Sequence, residues 1–526
     1  MKLQFTENKN NYSILNDGYI FVIVIFFSIF FRLSDLDNRP FHTDEAVHAV
    51  KFGELLETGN YTYDPIEYHG PTLNYFTTIS SIFTNKVTFS ETTEFIYRVI
   101  PAITSLLLLI MFLFLRNEIG DRKLFLILFI VGFSPSFVFY SRYYIQESML
   151  VTFSFSMILS VYKYYLSKNL KWVIVSGVLA GLIFATKETS IIFFASFVCS
   201  LLVLHLSKRI NLRNFSTIYH LFYFVATFII ISVLFYSSFF TNPQGIIDSV
   251  STFFNYFNKA GSNTEHVYPW YYYFEFILFT NNKLILFTQI PLFIFSVLGI
   301  YFSFTKKSHL FFSIISIISI FQAIVYSLIP YKTPWLILNF WIGFLILAGF
   351  GISEIFRKIK SSNFRIVFSF IIGIIFSFHL YQTILTSFTY PYQPENPFTY
   401  SQPTPDIISA SQKVENVLDS IPNKDEIFIN VIAKNNDYWP LPWYLRKFPN
   451  IAWNNSIPNS IYKYQLIISS PEFEEELINK LYSLPPSGEK NLYVPLFDNY
   501  VSLRPGVELR GYIQKDFYDF YLRSKN

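Results

Sequence analysis

The chain has 526 residues, of which 52% are hydrophobic, 21% aromatic and only 14% charged. An ordinary soluble domain carries about a quarter charged residues, so this composition excludes a purely water-soluble protein and indicates an integral membrane one. The net charge of +4 is small and scattered, which gives no nucleic-acid-binding surface, and the single cysteine, Cys199, gives neither a disulfide framework nor a cysteine-based metal site.

Apolar runs of roughly 17 to 25 residues, long enough to cross ~30 Å of hydrocarbon as helices, recur from about residue 18 to residue 388. The first follows a mixed polar stretch and lacks a small-residue cleavage site, so it reads as a retained signal anchor. The pattern predicts eleven spans, near 18–33, 97–115, 123–140, 147–166, 171–186, 189–206, 217–240, 284–304, 308–329, 335–355 and 364–388. The segment Pro71 to Thr84 is too short and too rich in Ser and Thr to be another, and reads as an interfacial helix.

Loop charges test this count. With the N-terminus cytoplasmic, every second short loop carries a basic cluster: Arg116, Arg122 and Lys123; Lys163, Lys168 and Lys171; Lys208, Arg209 and Arg213; Lys306 and Lys307; Arg357, Lys358, Lys360 and Arg365. Counting Pro71 to Thr84 as a span would invert every later loop and break the pattern. The first loop (34–96), the long loop from about 241 to 283 and the C-terminal region then all face away from the cytoplasm.

The first outer loop opens with "RPFHTDEAVHAV", in which Asp44 and Glu45 stand between His42 and His48. A carboxylate at the membrane surface can act as general base on an acceptor while nearby cations stabilise a departing phosphate. On a helix the two carboxylates point about 100° apart, so Asp44 is the candidate base and Glu45 the partner that orients sugar or a cation. Asp44 also suits the start of the helical stretch that ends at Gly59. His42, Asp44 and His48, with Glu67 and His69 in "IEYHGPTLNY", hold a ligand inventory for a divalent metal. The H-E-x-x-H pattern is absent, however, and hydrogen bonding to substrate or headgroups is the competing role for these histidines.

Later outer loops place isolated cations beside helix ends: Arg142 and Glu147 in "SRYYIQES", Lys187 and Glu188 in "TKETS", and Lys332 in "PYKTPW". Singly these read as snorkelling residues; together, on the carboxylates' side, they suit a phosphate at the headgroup level. In the long loop, Glu265 and His266 are site candidates, and the following tyrosines read first as an aromatic belt. A Pro-rich linker (389–405) then leads to a soluble α/β domain (406–526). There "DIISASQKVENVLDSI" and "PEFEEELINKLYS" read as helices, "EIFINVIA" and "YQLIISS" as strands, and "DYWPLPWYLRKF" as a helix from Asp437. Trp439, Trp443 and Arg446 suit docking onto the membrane domain or a glycan surface.

"HTDEAVHA", "YHGPTLNYF", "EFIYRVIPAI", "GFSPSFVFYSRYYIQES", "GLIFATKETS", "YKTPWLIL" and "YWPLPWYLR", in this order, resemble the GT-C superfamily of polyprenyl-phosphate-sugar-dependent glycosyltransferases. Within it they look like the prokaryotic flippase-activity-associated subfamily of the dolichyl-phosphate-mannose-protein mannosyltransferase-like group. The resemblance implies a mainly α, polytopic GT-C-like membrane domain (1–388) and inverting transfer of a sugar from a polyprenyl-phosphate donor to an extracytoplasmic protein or glycan acceptor. It implies catalysis by Asp44 with Glu45 beside it, and donor-phosphate binding by Arg142, Lys187 and Lys332. For His42, His48, His69, Glu265 and His266 the residue types suggest substrate contacts. The competing function is a lipid-linked oligosaccharide flippase or its accessory, binding phosphate without chemistry; ionisable residues gathered at the outer helix ends favour the enzyme.

Overall fold

A computed structural model describes residues 18–525, apart from residue 67 and segments 213–217, 261–265, 424–425 and 486–489. Glu67, Arg213 and Glu265 therefore lie outside the described residues, as does the polar stretch before the first helix. In chain order, α1 (Tyr19–Leu33) leads to α2 (Thr43–Thr58) and α3 (Thr72–Thr84). Then come α4 (Glu94–Leu113), the single turn α5 (Arg116–Ile119), α6 (Asp121–Gly132), α7 (Pro135–Ser141), α8 (Glu147–Ser167), α9 (Leu170–Phe184), α10 (Ser190–Leu206) and α11 (Ile218–Tyr236). The long loop holds α12 (Gln244–Ala260), α13 (Tyr272–Leu278) and the hairpin of β1 (Phe279–Asn281) with β2 (Leu286–Thr288). The bundle ends with α14 (Ile290–Thr305), α15 (Leu310–Leu328), α16 (Leu338–Lys358) and α17 (Ser362–Ile384).

Among the described residues six helices are long and apolar enough to cross a membrane, seven if the bent pair α6 and α7 is one span, and four further apolar helices are shorter. Each predicted span falls on one of these. The span expected from residue 284 begins at Ile290 instead, because Asn282 Oδ1 accepts from the Leu284 and Ile285 amides and turns residues 286–288 back onto 279–281. Pro71 to Thr84 is the 13-residue α3, closed by Asn85 in the left-handed region (φ 53°).

α6 and α7 meet at 55°, where Pro135 starts the second helix. A break inside a bundle strands backbone carbonyls that hydrocarbon cannot satisfy. Here Arg32, fully buried on α1, donates to the Gly132 carbonyl at 2.7 Å and to Val131 at 3.5 Å, and Thr383 Oγ1 donates to Phe133 at 2.6 Å. Close helix contact elsewhere depends on small residues: a Cβ on Gly299 of α14 would meet the Leu347 carbonyl of α16 at 2.0 Å. At the end of the bundle opposite the first loop, Lys163–Glu118 (2.5 Å) and Lys123–Glu354 (3.8 Å) join basic loops, while Arg116–Asp121 (2.7 Å) and Arg357–Glu354 pair within their own segments.

The C-terminal region comprises α18 (Asp406–Asp419), β3 (Ile429–Ile432), α19 (Leu441–Tyr444), β4 (Ile451–Asn454), β5 (Leu466–Ser469), α20 (Glu474–Ser483), β6 (Tyr493–Pro495), β7 (Val501–Arg504), β8 (Val507–Gln514) and α21 (Lys515–Ser524). The sheet order is β4-β3-β5-β8-β6 with β7 also on β8; β3, β4 and β5 are parallel and β8 runs against its neighbours. The helix expected from Asp437 is only the one turn of α19. Pro440 and Pro442 lack the amide hydrogens a longer helix needs, and the segment follows the docking surface instead.

That docking is built on Trp443. Buried completely, its ring lies 4.6 Å from Phe41, 5.1 Å from Tyr97 and 5.8 Å from Phe89, and its Nε1 donates to Glu94 at 3.3 Å. Arg446 stacks on its other side at 3.6 Å and donates to the Thr92 carbonyl at 2.5 Å. Truncating a buried Trp typically costs about 3–5 kcal/mol. Trp443→Ala is therefore expected to lower the unfolding temperature in detergent and to make the linker after Phe398 cleavable in limited proteolysis before the bundle unfolds; unchanged proteolysis would show that the linker alone holds the domain.

Candidate active site at the first-loop end of the bundle

The site is organised by α2. His42 caps this helix: its Nδ1 accepts from the Asp44 amide at 3.1 Å, and the Glu45 carboxylate reaches back to the His42 amide at 2.9 Å, a reciprocal capping box. Histidine at the cap, rather than Asp44, is what the sequence reading missed. The helix rotation then separates the two carboxylates as expected.

Glu45 is fully buried and saturated. Its oxygens accept from Arg98 Nε (2.7 Å) and Nη2 (2.9 Å), from Arg39 Nη2 (3.2 and 3.0 Å), from the Tyr144 amide (2.9 Å) and from the His42 amide. Burial alone would raise its pKa, but Arg39 and Arg98 outweigh burial and hold it down at about 2. The two arginines bind further: Arg98 donates to the Leu36, Arg39 and Pro40 carbonyls, while Arg39 lies over the Tyr143 ring at 3.4 Å and donates to Gln402 Oε1 at 3.1 Å. The first loop, α4, the α7–α8 turn and the linker thus meet on one carboxylate.

Asp44, one residue away, has an open side chain, 44% exposed, with Oδ1 3.9 Å from His42 Nδ1. Four residues along the same face, buried His48 packs against His69, ring centres 6.0 Å apart, and its Nε2 lies 3.2 Å from the Gln146 amide nitrogen. Burial first, then the neighbouring His69 and Lys187, push His48 down to about 3, so it is neutral at physiological pH. With Gln146 donating to Nε2, the proton of His48 resides on Nδ1. His42 is neutral too: burial lowers its pKa, and Nε2 donates to the Tyr400 carbonyl at 2.8 Å.

His69 is brought in by the "YHGP" loop. A Cβ on Gly70 would meet the Ala185 carbonyl at 2.2 Å, and Thr72 donates its amide to that same oxygen, so the loop lies flush on the α9–α10 turn. There His69 Nδ1 lies 2.8 Å from Glu188 Oε2, whose other oxygen accepts from Tyr63 at 3.4 Å. Beside it, buried Lys187 pairs with buried Glu147 at the start of α8.

The remaining candidates divide. Lys332 is buried on backbone carbonyls, donating to Tyr268 at 3.1 Å and to Ile329, with no carboxylate partner among the described residues. Its amide holds the His266 carbonyl at 3.0 Å, and His266 Nδ1 meets Tyr400 Oη, which joins the long loop to the linker. Arg142 has contacts other than a phosphate: it donates to the Phe31 (3.2 Å), Ser34 (2.5 Å) and Asp35 (3.0 Å) carbonyls and so holds the end of α1. It also borders a cleft with Arg39, Asn38 and Phe388. Asp44, His48, His69 and Lys187 are therefore gathered together; His42, His266 and Lys332 form a flanking chain; Arg142 is set on the other side of the Glu45 network. Among the described residues no three His, Cys, Asp or Glu side chains converge as a metal-ligand set.

Against known proteins, a model of the family "Dolichyl-phosphate-mannose-protein mannosyltransferase" matches residues 70–242. No curated protein matches the chain. Solved structures do. ArnT from Cupriavidus metallidurans in its apo state superposes with a TM-score of 0.63 at 14% identity, covering 94% of this chain and 98% of that one. The same protein bound to undecaprenyl phosphate gives 0.62 at 13%, with the same coverage. The archaeal oligosaccharyltransferase AglB from Archaeoglobus fulgidus, in complex with an inhibitory peptide and a dolichol-phosphate, gives 0.55 at 13%, covering 87% and 69%.

Because the folded pKa of Glu45 is depressed, its network stabilises the protein fully above the ordinary carboxylate pKa and loses that contribution as pH falls from about 4.5 toward 2. The shift corresponds to stability on the order of 3 kcal/mol at neutral pH. Removing one partner of a buried pair costs about 3–5 kcal/mol, so Glu45→Ala is expected to unfold far below wild type in a thermal scan and to lose the acid transition; a wild-type acid profile would assign that transition elsewhere.

Proposed function

We propose that this chain, whose fold is that of the GT-C membrane glycosyltransferases, transfers a sugar from a polyprenyl-phosphate carrier to an acceptor at the outer membrane face, with inversion. The observation that carries the reading is the division of labour between two adjacent carboxylates. Glu45 is fully matched by cations and amides and stays ionised at neutral pH; Asp44, held at a fixed angle beside it, is open and meets no arginine or lysine among the described residues. A free carboxylate on a rigid mount, one helical turn from neutral His48, is what base-assisted displacement at a phosphate-activated sugar needs.

In this mechanism Asp44 accepts the proton of the acceptor nucleophile as it attacks the anomeric carbon. The bond from that carbon to the phosphate oxygen breaks, and the lipid phosphate leaves with the bonding electron pair. Lys187 and Lys332 stabilise that charge, the first keeping one N–H on Glu147 while its other N–H groups turn to the phosphate. His48 Nδ1–H donates to the donor or acceptor. Undecaprenyl phosphate on ArnT and dolichol-phosphate on AglB support a polyprenyl phosphate here, and the family match over residues 70–242 supports mannose as the first sugar to try. The basic clusters at the opposite end of the bundle support placing the first loop and the C-terminal domain outside the cytoplasm.

Asp44→Asn retains the size of the side chain and removes its basicity. With a polyprenyl-phosphate sugar and membrane-extract acceptor, transfer is expected to fall about 10²–10⁴-fold, the usual worth of a general base, while binding of the donor stays near wild type. Transfer at the wild-type rate would remove Asp44 from the chemistry.

A further inference from the structure

The outer end of the bundle contains polar atoms that the mechanism above does not use. Among the described residues the second oxygen of Glu147, Oε2, is buried without a hydrogen-bond partner, and so are Ser190 Oγ at the start of α10 and Tyr273 Oη on α13, while the neighbouring Thr189 hydroxyl meets Tyr326. They belong to one neighbourhood. Glu147 is tied to the α9–α10 turn through Lys187, two residues before Thr189. Its negative charge reaches Tyr273 and Tyr331, where, behind burial and the charge of Asp44, it helps push the Tyr331 hydroxyl up to about 12. Tyr273 and Tyr326 both pack on Phe340 at the start of α16, with ring centres 5.7 and 6.2 Å away.

An unmatched buried polar group costs about 1–3 kcal/mol, and more for a charged one. Several in one place at the end of a well-packed bundle call for a common partner. The chemistry of that partner can be read from what is missing. Lys187 already neutralises Glu147, so the group does not call for a further cation; the free carboxylate oxygen can only accept, and the Ser and Tyr hydroxyls can donate or accept. Their complement is a set of uncharged O–H groups on a compact scaffold. Lys187 also fixes the geometry, since the cation assigned to the donor phosphate is in contact with the carboxylate whose other oxygen is free.

We propose that Glu147, with Ser190 and Tyr273, reads the hydroxyls of the donor's sugar, with Glu147 Oε2 accepting from a hydroxyl close to the anomeric carbon and so setting sugar specificity. This rests on the carrier-linked donor proposed above but not on the transfer step. It makes Glu147 a specificity residue, distinct from the base Asp44 and from the saturated Glu45. Glu147→Gln preserves the shape and the amide oxygen for Lys187 while removing the charged acceptor.

The test compares binding of a short polyprenyl phosphate with that of the same lipid carrying mannose or glucose, and of their deoxy analogues, to the full-length protein in detergent. Wild type is expected to bind at least one glycosylated lipid about 10- to 100-fold more tightly than the bare phosphate, the usual range for a hydrogen bond to a charged group, and to lose that preference for one deoxy analogue. Glu147→Gln should abolish the preference and bind the bare phosphate at least as well as wild type, which also shows that it is folded; Ser190→Ala should reduce the preference several-fold. A preference that survives in Glu147→Gln, or none in wild type, would overturn the assignment. If the preference behaves as expected but wild type transfers no sugar to any acceptor, the sugar pocket stands and the transferase reading fails.

Discussion

Everything at the working end of this molecule depends on one buried carboxylate. Glu45 joins segments that are far apart in sequence: Arg39 in the first loop, Arg98 on α4, the Tyr144 amide before α8 and, through Arg39, Gln402 in the linker. Two guanidinium groups in an apolar protein carry a large desolvation cost, which a single carboxylate offsets only with near-ideal geometry and with every remaining donor satisfied. Arg98 meets both, its other donors lying on the carbonyls of Leu36, Arg39 and Pro40, and Arg39 adds Gln402 and the Arg142 carbonyl. The irregular backbone between α1 and α2 is thus held by side chains where no secondary structure could hold it. Its reward is rigidity at the adjacent residue, so that Asp44 is fixed without itself being engaged.

The same logic separates stabilising cations from available ones. Arg32 and Arg142 are both buried and both matched by backbone carbonyls freed where helices break or end. They close the fold in the way that a membrane requires, since no water is present to satisfy those carbonyls. Lys187 and Lys332 differ in kind. An ammonium on a flexible stem can change partners at little cost, whereas a guanidinium forked across several carbonyls cannot. That distinction favours the lysines as phosphate ligands, although the sequence offers Arg142 on equal terms.

Much of the architecture is legible in the sequence. Eleven apolar stretches, the alternation of basic loops and the rejection of Pro71 to Thr84 as a span all rest on length and hydropathy, which a bilayer enforces strictly. The hairpin at 279–288 escapes this reading because its turn is made by a single Asn side chain, and the apolar run that follows, "LILF", continues directly into the span. In the C-terminal domain, β3 and β5 are announced by continuous buried runs. β4, β6, β7 and β8 are not: they are short or half-exposed, and their pairing is non-local. The segment around Trp443 reads as helical by composition, but two prolines and the docking surface decide otherwise.

The site is legible in its members and not in their partners. Composition and spacing single out Asp44, Glu45, His48, His69, Lys187 and Lys332, but nothing local says that Glu45 meets Arg98 from 53 residues away, or that His42 is a helix cap. The histidines illustrate why. As a group they suggest metal or substrate; once placed, each has a separate occupation, His42 to the helix and Tyr400, His48 to Gln146, His69 to Glu188. A ligand set needs lone pairs converging on one point, and these are turned toward different neighbours by contacts made across the chain. What converges instead is a graded series of carboxylates: Glu45 fully matched, Glu188 and Glu147 matched by one side chain on a given oxygen, and Asp44 open. The order of that series follows the number of donors each carboxylate meets and not its depth, since Glu147 is as buried as Glu45, and an unmatched oxygen in a low-dielectric site is the one left to bind a ligand.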